Sequence, residues 1–263
     1  MRSIGPYLFA GLVSLLIGHA VVFSQPAPPS TGTLTVNSRV KIGAKTVQLR
    51  RKRFYLFRGG FDANSKLIER LKTANVVSRD CFYCQIHAST EFMTWLKDCE
   101  TAYCREITAE DIERVPEFKA AYEKGKASST FSKKPELAQK WLITNLEKPF
   151  QSGFYDERQK ELKELLTGID PPVESSITNA AGTSAAFLNV PLYSATATEK
   201  FLLSNLIPIE AEGKSFVWAC EIDLGTAKKT QALETAETSQ RVKKCEVIVR
   251  DLPACKEGNC AAK

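Results

Sequence analysis

The hydrophobic period of this chain changes twice, and that change limits the folds open to it. From Thr33 the apolar residues alternate, with Leu34, Val36, Val40 and Ile42 on one face of an extended segment. Ile42-Gly43-Ala44-Lys45 reads as a turn. Thr46 to Arg58 returns as a second strand, kinked near Arg51 so that Phe54-Tyr55-Leu56-Phe57 can resume the apolar face after a basic run. Gly59-Gly60 ends this hairpin, and residues 61 to 168 take the helical period. After Pro172 period two returns, with strands expected over 184–190, 200–209, 214–223 and 241–251, and Glu210-Ala-Glu-Gly213 as a hairpin turn. An isolated two-stranded hairpin is marginal in water. The expectation is therefore an α+β fold: a sheet or sandwich built from N- and C-terminal strands, with a helical insertion between them. The corresponding divisions are an N-terminal hairpin (33–60), the helical Cys-containing insertion (61–170), a C-terminal β block (171–251) and a Cys-containing tail (252–263).

Within the insertion the helices announce themselves by stripes and caps. Leu67, Ile68 and Leu71 stripe a helix over about 63–74. Ser89 or Thr90 caps one bearing Phe92, Trp95, Leu96 and Cys99 at i, i+3, i+4 and i+7. Thr108-Ala-Glu-Asp111 is close to a capping box. Pro116 opens, and Gly125 stops, a helix with Phe118, Ala121 and Tyr122. Ser132 precedes Leu137, Trp141, Leu142 and Leu146. Pro149 separates these from Phe150, Phe154, Leu162, Leu165 and Leu166, closed by Gly168. Trp95, Trp141 and Trp218 all read as core. Lys228 to Ser239 is polar and reads as a loop or weak helix.

The N-terminus sets the redox setting. Met1-Arg2, the apolar run Tyr7 to Ile17, and Val22 and Ser24 ahead of Gln25 have the layout of a signal peptide over 1–24. Tyr7 to Phe23 also fits an uncleaved anchor. Either outcome exports the rest of the chain, to the periplasm, the extracellular space or the outward face of a membrane. Gln25 to Gly32 reads as a Pro-rich, extended tether. Outside the cytosol an even set of eight cysteines suits disulfides. The cluster Cys81, Cys84, Cys99 and Cys104 fits structural disulfides, a four-cysteine zinc ribbon or a redox dithiol. Zinc would need thiolates that escape oxidation, and Cys99 shares the apolar face of its helix. The expected bonds run from Cys81 and Cys84 to Cys99 and Cys104, from Cys220 to Cys245, and from Cys255 to Cys260, with no metal and no cofactor.

Charge is uneven rather than high. The net charge is +6, and the hydrophobic and charged fractions of 43% and 25% are ordinary for a folded globular chain. Arg50, Arg51, Lys52 and Arg53 form the one dense basic run. It reads either as a solvated strand edge that discourages aggregation or as a patch for an anionic ligand. Nucleic acid would ask for a broader basic face with exposed aromatics. Catalytic signals are missing: no G-x-S-x-G elbow, no phosphate loop around Gly59-Gly60, and His87 alone beyond the signal segment. The expected function is a non-catalytic binding or interaction module of the cell envelope. Its partner would be a protein, a glycan or the envelope surface, with membrane contact only through an uncleaved N-terminal segment. The competing reading is a thiol–disulfide oxidoreductase using Cys81 and Cys84.

Asn179-Ala-Ala-Gly182-Thr-Ser-Ala-Ala-Phe187-Leu-Asn-Val190-Pro191 resembles a motif of transthyretin-like sandwiches, including carboxypeptidase regulatory-like domains. There a "D-x-x-G" turn leads into a strand "x-A-x-F-x-N-V-P", and Asn179, Gly182, Ala186, Phe187, Asn189, Val190 and Pro191 look like those positions. The "P-x-G-x-Y" continuation is missing. The resemblance implies a β-sandwich, Phe187 pointing inward, Pro191 ending a ladder, and an exported, mostly non-catalytic module of the carbohydrate-binding-like class. Val76-Val77 before Cys81 is similar to the strand ahead of a thioredoxin CxxC, but helices come next where that family alternates strands and helices.

Overall fold

A computed structural model describes residues 30–74, 77–96, 101–102, 106–127, 141–233, 238, 240–242 and 244–252. The signal segment, the cysteines at 99, 104, 255 and 260, and the helix expected around Leu137 lie outside the described residues.

The protein is α+β, and strands from both ends of the chain share its sheets. The strands are β1 (Ser30–Asn37), β2 (Arg39–Ile42), β3 (Lys45–Gln48), β4 (Arg53–Arg58), β5 (Glu174–Ile177), β6 (Ser184–Leu192), β7 (Glu199–Ser204), β8 (Ile209–Ala211), β9 (Lys214–Leu224), β10 (Lys228–Ala232), β11 (Gln240–Val242) and β12 (Cys245–Asp251). One sheet has the order β10-β1-β6. A larger one runs β11-β12-β9-β7-β4-β5, with β8 added on β9, and β2 and β3 form a separate hairpin. Alternation along each strand puts two apolar faces on the larger sheet. Phe54, Leu56, Phe201, Leu203, Trp218, Cys220, Ile222 and Val247 meet Leu34, Val36, Phe187 and Val190 of the smaller sheet. On the other face, Tyr55, Phe57, Leu202, Val217, Ala219 and Ile248 meet Leu67, Ile68 and Leu71, with Leu162, Leu165 and Leu166 packed alongside. Those last six belong to α1 (Ser65–Thr73) and to the last helix, Phe154–Leu166.

Between them the insertion folds as a helical cluster: α2 (Arg79–Gln85), α3 (Thr90–Leu96), α4 (Ala109–Arg114), α5 (Pro116–Lys126), a helical segment at 141–145, and a π turn Pro149–Gly153 leading into α6 (Phe154–Leu166). Tyr83, Phe92, Trp95, Ile112, Phe118, Leu142 and Phe154 fill its core. The caps are local. Ser89 Oγ accepts from the Phe92 N–H at 3.0 Å and donates to Glu117 at 2.7 Å, so α5 supplies the acid that a capping box takes from its own helix. Thr108 and Asp111 cap α4 reciprocally. Trp95 and Trp218 are buried, and Trp141 is half-buried. Gly125 does not stop α5. It is the penultimate residue of the helix, and an added Cβ there would stand 2.6 Å from the Trp141 ring.

Other expectations change for identifiable reasons. Ser30–Gly32 are strand, not tether, since they pair with Val190–Leu192, and Gly32 is packed so closely that a Cβ would meet the Gly225 carbonyl at 2.6 Å. β6 continues through Pro191 to Leu192 because it is an edge strand, where a missing N–H is tolerated. Lys228–Ala232 is neither loop nor helix but a parallel partner of β1, with Thr33 opposite Lys228. The run 200–209 breaks after Ser204, and 241–251 is a hairpin of β11 and β12. β5 had no sequence signal beyond two serines and an isoleucine.

The switch from sheet to helix at residues 59–64 is fixed by polar groups. Asn64 is buried and its amide donates to the carbonyls of Arg58, Gly59 and Gly60 at 3.0, 3.1 and 3.0 Å. Glu221 on β9 accepts from the Phe61 N–H at 3.0 Å and pairs with Lys200 at 3.0 Å. The Phe61 N–H first, and Lys200 second, hold its carboxyl below the ordinary glutamate range. A lowered folded value means stability that is complete above the unfolded value and lost as pH falls through the folded one. Glu221→Gln is therefore expected to lower stability at pH 7 by about 1–2 kcal/mol and to flatten the acid limb of a urea-melt pH series. An unchanged acid limb would contradict this. The fragment 170–263, which lacks β1 and β4, is expected to show no cooperative unfolding and poor amide dispersion, because β6, β7 and β10 each lose a ladder partner.

Candidate functional site

The basic run sits where β3 ends and β4 begins, and a buried threonine controls it. Thr178, just past β5, accepts the Lys52 N–H at Oγ1 (2.7 Å), donates its own N–H to the Lys52 carbonyl (2.9 Å), and donates its hydroxyl to the Leu49 carbonyl. Leu49 is anchored in the sandwich core. The chain must reverse between these fixed points, and Arg51 does so in the left-handed region at φ 53, a conformation that costs a non-glycine residue about 1–2 kcal/mol. The kink expected near Arg51 is this residue. Arg50 turns away, its guanidinium on Gln48 at 3.3 Å and its stem against the Gly182 turn.

Arg51, Lys52 and Arg53 line a cavity of about 430 Å³ together with Tyr55, Tyr155, Gln159, Ile177, Asn205, Ile207, Pro208 and Ile209. It has three walls. Arg53 and Ile177 are cross-strand partners on β4 and β5, and Arg53 is steadied by a 3.0 Å bond to Ser175 Oγ. Tyr155 and Gln159 are i and i+4 on α6, so they present one face together. The third wall is the segment after β7. Asn205 is buried and fully engaged: its amide donates to the Ile207 and Phe216 carbonyls at 2.7 and 3.1 Å, and its Oδ1 accepts from the Trp218 N–H at 2.8 Å. Leu206 comes next at φ 52 with its side chain in the helix-side core.

The wall carried by α6 is locked to the sheet by a buried charge network. Arg158 is 1% exposed. It donates to Glu210 of β8 at 3.0 Å and to Glu161 at 3.1 Å, with its guanidinium 4.8 Å from the Phe154 ring centre. Its Nε has no partner among the described residues. Glu210 also accepts the Arg79 N–H at 2.9 Å, tying in α2. Burial pushes the Glu210 carboxyl up, against the pull of Arg79 and Arg158.

Among the described residues the lining has three cations, two phenols, amides and an apolar wall, and no carboxylate, imidazole or thiol. Guanidinium and ammonium groups in such a set are suited to hydrogen-bonding an anion. Among the described residues no cluster of three or more His, Cys, Asp or Glu is placed to hold a metal. His87 is exposed in a loop at φ 57. Cys81 and Cys84 stand one turn apart on the buried face of α2, both disulfide-bonded. Cys220 and Cys245 are bonded across β9 and β12, directly opposite each other with Cα atoms 3.9 Å apart. The Asn179–Gly182 turn and Phe187 belong to the sandwich and not to the cavity. The Gly182 N–H donates to the Asn179 carbonyl at 2.9 Å, and Phe187 is buried.

The periodicity gave no sign of Tyr155, Gln159, Asn205 or Ile207. One signal was available: Pro208 inside the apolar run 200–209 cannot serve a central ladder, so a break there was to be expected. No protein-family model matches this chain, and no curated protein sequence matches it.

Breaking one partner of a buried ion pair costs far more than replacing both. Arg158→Met and Glu210→Leu are each expected to destabilise by about 3 kcal/mol, with the double variant close to wild type, in urea melts. Additive losses in that cycle would show that the two side chains do not act as a pair.

Proposed function

We propose that this protein is an exported, non-catalytic binding module whose ligand carries a negative charge and seats it in the cavity between β4 and α6. The observation that carries the reading is the lining itself: Arg51, Lys52 and Arg53 on one side, Tyr155 and Gln159 on the other, and no acid among the described lining residues. A volume near 430 Å³ lies in the range of small-ligand sites. Backbone strain at Arg51 in the lining, and at Leu206 between the lining residues Asn205 and Ile207, supports the same reading, because left-handed non-glycine residues persist only where the surroundings over-determine them. Export rests on the N-terminal segment and the disulfide usage. Among the described residues no helix is long and apolar enough to cross a membrane. The buried, bonded state of Cys81 and Cys84 supports binding over thiol exchange, which needs an accessible thiolate. The sandwich of two sheets is compatible with a transthyretin-like ancestry, and with a glycan, protein or envelope surface as the bearer of the charge.

The test is a titration of the oxidised, ¹⁵N-labelled protein with 1-naphthoate, an aromatic carboxylate small enough for the cavity. Amide shifts are expected at Arg51–Tyr55, Tyr155 and Gln159, weakened about tenfold in affinity by Arg51→Gln with Arg53→Gln. Shifts confined to other surfaces, or none, would defeat the proposal.

A further inference from the structure

We infer that the anion is the terminal carboxylate of an extended peptide, which takes one ladder position on β4 that β7 leaves open. The inference rests on the anion-binding reading of the cavity and adds the ligand's main chain to it. Main-chain groups along a strand point alternately to its two sides. The Lys52 main chain bonds Thr178, and the Leu56 carbonyl accepts the Val173 N–H at 2.8 Å, so even-numbered residues of this segment face β5. The Gly59 N–H donates to the Lys200 carbonyl at 2.8 Å, and Tyr55 and Phe57 pair with Ser204 and Leu202, so odd-numbered residues face β7. By the same alternation Arg53 directs its N–H and C=O to the β7 side. There the ladder has already stopped at Tyr55–Ser204, because the next residues are drawn off by the buried Asn205 amide and the left-handed Leu206. One donor and one acceptor at strand spacing therefore face the cavity side with no ladder partner among the described residues, next to the Arg51 and Lys52 side chains.

A simple anion would use the cations and leave this main-chain pair idle. A ligand with an amide N–H placed beside a carboxylate uses all of them, and the carboxy-terminal residue of a peptide has that arrangement. Its N–H would donate to the Arg53 carbonyl, one oxygen of its own carboxylate would accept the Arg53 N–H as in an antiparallel pair, and the other would lie against Arg51 and Lys52. Ile177, Ile207 and Pro208 give the last side chain an apolar wall, which selects a residue such as leucine.

The experiment uses the oxidised protein and a fluorescein-labelled hexapeptide of five alanines ending in leucine, read by anisotropy. Three probes are compared: the free acid, the terminal amide, and the free acid methylated on the leucine nitrogen. The free acid is expected to bind, with the amide about tenfold weaker and the N-methyl peptide several-fold weaker. Arg51→Gln should weaken the acid about tenfold and leave the amide unchanged. Equal binding of acid and amide, indifference to N-methylation, or no peptide binding while 1-naphthoate still shifts Arg51–Tyr55, would overturn the inference and leave the anion site standing. Failure of 1-naphthoate at the same residues would instead remove the anion site on which the inference rests.

Discussion

The larger sheet is apolar on both faces, and covering it dictates the rest of the architecture. Strands that alternate Phe54, Leu56 against Tyr55, Phe57, or Trp218, Cys220 against Val217, Ala219, have no face to give to water. The smaller sheet covers one side, and α1 with α6 covers the other. Losing α1 alone would expose Leu67, Ile68, Leu71 and their partners. At about 1.5–3 kcal/mol for each large side chain, that loss is comparable with the whole stability of a typical domain, about 5–15 kcal/mol. The helical segment is thus an insertion in sequence but a structural layer in space.

The cavity arises where this covering arrangement is interrupted. β7 leaves β4 after Ser204, and the basic segment turns sharply under the hold of Thr178. α6 passes over the gap, presenting Tyr155 and Gln159. Arg158, next to Gln159 on α6, and Glu210, next to Ile209 on β8, fix the height of that roof. A sheet with complete ladders would have had no room for a ligand here. The site therefore depends on a few residues that spoil regular structure, Arg51, Asn205, Leu206 and Pro208, supported by a rigid surround.

This division explains what was legible in the sequence. Blocks of period two and of helical period translated into sheets and helices because amphipathic stripes such as Leu67, Ile68 and Leu71 report burial directly. Caps such as Thr108–Asp111 and turns such as Asn179–Gly182 were legible because their partners are near in sequence. β10 was not, since an exposed edge strand of Lys, Thr and Gln carries no apolar alternation, and its partner β1 lies near the other end of the chain. Within the basic run the residue types were visible but their directions were not. Nothing local separates Arg50, turned to the Gly182 loop, from Arg51–Arg53 in the cavity. The other walls come from residues 155–159 and 205–209, joined only by the fold.

The pairing of β1 bears on how the molecule assembles. Its neighbours, β6 and β10, begin at Ser184 and Lys228, so its contacts span some of the longest separations in the chain. Closing such loops carries an entropic cost that must be met before any contact rewards it, and folds dominated by non-local pairing form slowly. The pairing of β1 is consequently costly to form early, although the strand precedes all the other described ones in the chain. While β1 is unpaired, Leu34, Val36 and the open edge of β6 are exposed, and such apolar surface and unpaired edges favour aggregation.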